Sequence, residues 1–167
     1  MAAEALECLG GNGYVEESGM PRIYRDAPLN SVWEGSGNVT ALDVLRALAR
    51  SPESGAALLA EADLAAGGDR RLDQAILQLR KALGETGGRA GRDAEYRARS
   101  LAGLIAVVLQ GALLVRHAPA EVADAFCASR LDPGTGGPAG PGLPFGMLPD
   151  GLRLTAVLSR SHAAAAG

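Results

Sequence analysis

The stretch Asn30-Ser-Val-Trp-Glu-Gly-Ser-Gly-Asn38 places one carboxylate, Glu34, in a turn of small residues that runs straight into the apolar-periodic segment Val39 to Leu48. Backbone N–H groups in the first turn of a helix lack intrahelical partners and attract negative charge. Gly35 and Gly37 let that backbone come close to a ligand, because no Cβ intervenes. A carboxylate aimed into a pocket beside such donors, which could hold an anionic or carbonyl-bearing ligand, is what proton abstraction needs. From spacing alone the plain alternative is a capped helix start with a solvated glutamate, since a motif without its structural context is a hypothesis.

The elements that must position this turn read as helical. Ala2 to Leu9 looks like the last turns of a helix, ended by Gly10 and Gly11. After the turn, Val39, Leu42, Leu45 and Leu48 recur every three residues on one helical face. Ser51-Pro52-Glu53 reads as an N-cap with proline at the first helical position, opening a helix that stops near Gly67. Asp69 begins another, with Leu72, Ile76, Leu79 and Leu83 on its apolar face and Gly84 as its stop. A long helix runs from about Arg92 to His117, halted by Pro119, and a shorter one from Ala120 to Arg130 sets Val122 and Phe126 on one side. No run alternates β-branched and aromatic residues in the manner of a strand. The expected fold class is all-α, an antiparallel helical bundle.

The residues around the turn carry a family likeness. Reading along the chain, they are Leu9-Gly10-Gly11-Asn12-Gly13-Tyr14, Glu16-Glu17-Ser18, Pro21-Arg22-Ile23-Tyr24-Arg25-Asp26, the Glu34 turn, and Leu42-Asp43-Val44-Leu45-Arg46. Dense and ordered over some forty residues, this run resembles the C-terminal domain of flavin-dependent acyl-CoA dehydrogenases, with its main likeness to the alkylation-response (AidB-like) branch. Segments as far as Asp132 are more weakly similar to that branch.

The resemblance implies a function for particular positions. Glu34 stands where the larger group of the family keeps its general base, which takes the pro-R α-proton of an acyl thioester while a hydride leaves the β-carbon for flavin N5. Val32, Trp33, Gly35, Ser36, Gly37 and Asn38 match the stretch that touches FAD, and Gly10 and Gly11 match a glycine pair approached by a neighbouring subunit's FAD adenylate. Arg46 matches a family arginine assigned to packing or charge balance near the flavin. Where a glutamine often precedes the glycine pair by three residues, this chain has Glu7, which puts a direct adenine or ribose hydrogen bond there in doubt. The implied cofactor is FAD, the implied substrate an acyl-CoA, and the implied assembly a homo-oligomer, commonly a tetramer. A glutamate with a pKa of about 4.3 in water is a poor base for such a proton. Desolvation beside Trp33 and a flat ring would raise it, and hydrogen bonds to the thioester oxygen would acidify the substrate.

On this reading residues 1–50 are the end of the dehydrogenase C-terminal domain with the base and flavin turn, and residues 51–132 are an AidB-like helical extension. Residues 133–149, rich in glycine and proline, are a linker, and residues 150–167 hold a terminal helix from about Gly151 to Ala165. The linker glycines lack the lysine–serine/threonine ending and preceding strand of a phosphate loop. A chain of 167 residues is about one domain's worth, and its resemblance to far longer dehydrogenases implies that it is the carboxy-terminal piece of such a protein, inactive by itself.

Composition bounds the rest. Apolar residues make up 47% of the chain and net charge is −3, so a packed core needs no disulfide. Cys8 and Cys127 show no metal spacing and read as buried free thiols, while His117 and His162 lack a neighbouring ligand, so no metal site is expected. No basic-then-apolar leader is visible, which favours the cytoplasm. Leu101 to Val115 contains Gln110 and is shorter than the roughly 20 residues of a bilayer span, so it reads as a core helix and not a membrane anchor.

Two other classes of function stay open. Relatives of the alkylation-response type are thought to shield duplex DNA through the helices beyond the flavin turn, an adaptive response to DNA alkylation. Here residues 41–167 hold fourteen basic groups against thirteen acidic ones, weaker than a DNA-binding stripe, although arginines cluster at Arg70-Arg71, Arg80-Lys81 and Arg89 to Arg99. A salt-bridged helix face including Asp69, Asp73, Asp93 and Glu95 explains that clustering equally. The third class is a non-catalytic oligomerisation module.

Overall fold

The structure is a computed structural model and describes residues 1–33, 35–87, 92–135 and 148–159. Among these residues every regular element is a helix, as expected. The chain divides into two compact units, Met1–Thr40 and Ala41–Gly167.

In the first unit, α1 (Ala2–Cys8) ends as expected at the double glycine. Gly10 turns the chain with φ +57°, its N–H donating to the Glu7 carbonyl at 2.9 Å. A single turn, α2 (Gly11–Tyr14), and a 3-10 turn at Glu16–Ser18 lead to α3 (Met20–Asp26). A second 3-10 turn, Ala27–Ser31, then carries the chain toward the Glu34 turn. The first residues of α4 (Gly37–Arg50) close this unit.

The second unit carries the core. It contains the rest of α4, then α5 (Pro52–Asp63), α6 (Arg70–Gly87), α7 (Arg92–His117), α8 (Ala120–Arg130) and α9 (Leu154–Leu158). Leu72, Ala75, Ile76 and Leu79 of α6 meet Leu101, Leu104, Val108 and Ala112 of α7, with Ala62, Ala65, Cys127 and Leu131 completing the buried cluster. Near its C-terminal end α7 passes the start of α6 and the far half of α8. An added Cβ at Gly111 would lie 3.1 Å from Leu72 and Leu131 and 3.6 Å from Phe126. The early part of α6 thus lies against the late part of α7, and α7 and α8 fold back across Ala118-Pro119, so these three helices run antiparallel. Glu61 near the end of α5 pairs with Arg116 near the end of α7, and Arg80 of α6 holds Asp63 at 2.8 Å.

Several boundaries differ from the sequence expectation for local reasons. The fifth helix stops at Asp63, not Gly67. Ala65 and Ala66 donate to carbonyls three residues back, tightening the last turn, and Gly67 at φ +80° gives its N–H to the Asp73 carboxylate. Ser51 occupies the N-cap position of α5 without a side-chain cap bond. The next helix runs past Gly84 to Gly87, since a lone glycine costs about 1 kcal/mol in a helix and does not end it. In α8 the buried stripe is Ala123, Cys127 and Ala128, one residue round from Val122 and Phe126, which are half-buried. The terminal helix starts at Leu154 and is tied to α8 by the Arg153–Glu121 pair at 3.1 Å. Residues 160–167, including His162, and most of the glycine- and proline-rich segment (136–147) lie outside the described residues.

Two further expectations need correction. Cys127 is a buried free thiol as anticipated, but Cys8 is exposed, on a helix that buries none of its residues. By length and composition α7 is sufficient to cross a membrane, which the shorter segment judged from sequence was not. Its buried residues Ala98, Leu101, Leu104, Val108 and Ala112 are the central face of the bundle.

Candidate active site

The turn that matters chemically is built by its neighbours. Ser31 donates its hydroxyl to the Pro28 carbonyl at 2.8 Å, closing the 3-10 turn, and Trp33 N–H reaches the Leu29 carbonyl at 3.0 Å. Gly35 N–H returns to the Val32 carbonyl at 3.1 Å with φ +107°, a conformation that a side chain would strain. The helix then begins: Thr40 N–H donates to Ser36 O at 3.0 Å, and Gly37 is the first helical residue. The turn therefore feeds directly into a helix N-terminus, as the spacing predicted. The Glu34 carboxylate lies outside the described residues, which cover both its neighbours.

Val32 and Trp33 are exposed, and so are Ser36, Gly37 and Asn38.

Gly10 and Gly11 form a separate bend. A Cβ at either would meet nothing within 4 Å, so the backbone there is accessible to a ligand. Among the described residues the most tightly enclosed glycine is Gly13, where a Cβ would sit 2.2 Å from the Leu6 carbonyl oxygen. Only glycine fits there, and it sets α2 against α1. The Gly-Asn-Gly-Tyr spacing was its sole signal.

A groove of about 590 Å³ opens beside the bend, lined by Leu6, Glu7, Tyr14, Glu16, Tyr24 and Arg25 among others. Arg25 holds Glu16 through two bonds of 2.8 and 3.1 Å, and that charge-assisted pairing lowers the Glu16 carboxyl below its ordinary range. This pair, nine residues apart, was also missed. Arg46, expected near the flavin, pairs with Asp43 one turn back on its own helix.

In the second unit three of the clustered cations have carboxylate partners. Arg71 joins Asp69 and Asp124, each at 2.6 Å, Arg80 joins Asp63, and Lys81 lies 3.9 Å from Glu85. Among the described residues no group of acidic, histidine or cysteine side chains could hold a metal ion.

Comparison with known proteins decides the family. Residues 1–49 match the family model described as "Acyl-CoA dehydrogenase, C-terminal domain". This part of the chain belongs to the acyl-CoA dehydrogenase family. The "Putative acyl-CoA dehydrogenase AidB" of Escherichia coli K12 is 40% identical over 132 residues, covering 78% of this chain and 23% of that protein. "Acyl-CoA dehydrogenase family member 11" of Caenorhabditis elegans is 35% identical over 133 residues, covering 71% and 21%. The "Cyclohex-1-ene-1-carbonyl-CoA dehydrogenase" of Geobacter metallireducens matches over 48 residues at 38% identity. The chain thus spans less than a quarter of the length of its two longer-matching relatives. Those two matches exceed 49 residues, so the likeness to these acyl-CoA dehydrogenases runs on into the helical bundle.

Proposed function

We propose that these residues are the C-terminal portion of an FAD-dependent acyl-CoA dehydrogenase-like protein, with Glu34 as general base in α,β-dehydrogenation of an acyl-CoA thioester. The observation that carries the reading is the Glu34 turn itself. Within the stretch that matches the dehydrogenase C-terminal domain, its flanking residues form a tight glycine turn entering a helix N-terminus. The 40% identity across most of the chain to the E. coli protein supports the same family for what surrounds it.

The residues present fit the cofactor. The bend at Gly10 and Gly11 offers backbone with nothing within 4 Å of a would-be Cβ, room for an adenylate. Val32 and Trp33 offer exposed apolar surface for a flat ring, continuous with Gly35, Ser36, Gly37 and Asn38. FAD, when bound, supplies the acceptor for the hydride from the β-carbon. The chain's own part is to receive the α-proton on the Glu34 carboxylate and to offer backbone N–H groups to the thioester oxygen. The carboxylate gains the strength for this only when water is excluded, which raises its pKa toward the working pH. The 167 residues alone are inactive on this proposal, since they span 23% of the E. coli relative and leave Trp33 exposed.

The DNA reading draws less from the structure, because carboxylates already engage Arg71, Arg80, Lys81 and Arg116, cations that a phosphate backbone would need. The dehydrogenase reading is tested by joining the chain to a dehydrogenase body and adding acyl-CoA without oxygen. Visible flavin absorbance that bleaches supports it. A flavin-bearing protein that no acyl-CoA bleaches contradicts it.

A further inference from the structure

We infer that Gly13 is a positioning residue for the cofactor's adenylate: from its buried place between α1 and α2 it fixes the path of the Gly10–Gly11 bend without touching the ligand. This assignment rests on the function proposed above and deepens it by naming the residue that shapes the adenylate contact.

Three glycines fall within four positions, and the structure gives each a different task. Gly10 takes φ +57° and ψ −140°, a conformation that side chains rarely adopt. Gly11 opens α2, and a Cβ on it would meet nothing within 4 Å, so it leaves the bend open on its outer side. Gly13 faces the other way. It is buried, and a Cβ on it would lie 2.2 Å from the Leu6 carbonyl oxygen and 3.1 Å from both the Leu6 carbonyl carbon and Leu9 Cβ.

What Gly13 touches is already tied to the bend. The Leu6 carbonyl accepts the Leu9 N–H at 3.2 Å, and the Glu7 carbonyl accepts the Gly10 N–H at 2.9 Å. The Gly10 carbonyl in turn accepts the Gly13 N–H at 2.9 Å. The bend is thus bonded to α1 on one side and to Gly13 on the other. The nearest obstacle to a side chain at Gly13 is backbone, so no rotamer change relieves it. Ordinary contact begins at 3.4 Å, so Gly13→Ala must part α2 from α1 by about 1 Å. The Gly13–Gly10 bond carries that displacement to the bend. Leu6 and Glu7 of α1 and Tyr14 of α2 also line the groove of about 590 Å³, so the same spacing sets the groove's width there. A ligand resting on bare backbone has no side chain to follow it, and a misplacement of about 1 Å can cost a hundredfold.

The test uses the whole 167-residue chain grafted in place of the matching segment of the E. coli protein. FAD affinity is read from quenching of flavin fluorescence, and bleaching by acyl-CoA is timed without oxygen at saturating FAD. Gly13→Ala should raise the Kd for FAD by about ten- to a hundredfold. Its bleaching rate at saturating FAD should stay within about twofold of wild type, because Glu34 lies in a separate turn. Amide exchange should quicken across residues 7–14 and stay unchanged across 101–112. Gly11→Ala should also raise the Kd, but with unchanged exchange across 7–14, since its Cβ obstructs the ligand and not the backbone. A Gly13→Ala protein with the wild-type Kd overturns the inference. So does one that loses affinity with no change in exchange across 7–14, or one that does not fold, for Gly13 would then hold the fold and not the bend. A wild-type graft that binds FAD but is not bleached removes the dehydrogenase reading and leaves the Kd comparison to decide on Gly13. A wild-type graft that binds no FAD removes both.

Discussion

Arg71 holds the start of α6 to α8 by gripping Asp69 with its Nε and Nη2 and Asp124 with Nη2. Asp69 also receives the N–H groups of Arg71 and Leu72, which caps the helix. Burial pushes the Asp69 carboxyl up, but the Arg71 hydrogen bonds outweigh it and hold the group below its ordinary value. A carboxyl whose folded pKa lies below its unfolded one stabilises the fold above the unfolded value, and that contribution is lost as pH falls through the folded value. Urea midpoints should therefore be flat above about pH 5 and fall below about pH 4. Asp69→Ala should cost about 1–2 kcal/mol and flatten the acid limb. An unchanged acid limb in that variant would remove Asp69 from the account. Burial, helped by the Asp69 charge, also pushes the Cys127 thiol up to about 12, whereas Cys8 is exposed. An alkylating reagent should thus label Cys8 in the native chain and Cys127 only after denaturant, as mass mapping would show. Residue chemistry was unevenly legible in the sequence. Glu34 stood out because its turn is local, while the Arg71–Asp124 pair spans 53 residues and exists only once α6 and α8 have packed.

At the scale of elements, helices were legible wherever their stops are strong. The bounds of α7 and α8 follow from Pro119 and from long apolar periodicity, and the face Leu72, Ile76, Leu79 of α6 is buried as its spacing required. Boundaries resting on a lone glycine failed, because nothing at Gly84 forces the chain out of the helix. On α8 close packing buries the small Ala123, Cys127 and Ala128, while Phe126 packs half-buried against the same core cluster. The same closeness yields a paired test on α7. Gly111→Val should cost about 1–3 kcal/mol, because even a Cβ would crowd Leu72 and Leu131. Gly103→Ala, where a Cβ meets nothing within 4 Å, should instead stabilise by about 0.5–1 kcal/mol. Thermal melts with the two shifts in the opposite order would show that α7 is not the close-packed centre.

For the molecule as a whole, the two units differ in what holds them. The helical bundle from residue 41 on has its own buried cluster, while the unit with the Glu34 turn matches a dehydrogenase C-terminal domain and leaves Ile23, Leu29, Val32 and Trp33 exposed. That asymmetry was only partly visible in the sequence: low β-content announced a helical chain, but the lack of a core in residues 1–40 depends on which faces find partners. The proposed role of Glu34 is removal of the substrate α-proton. Its most direct test is the rate of anaerobic flavin bleaching by acyl-CoA in the chain joined to its dehydrogenase body, wild type against Glu34→Gln. A slowing of about 10²–10⁴-fold with unchanged flavin content is the expected result, and an equal rate in the two proteins would contradict the assignment.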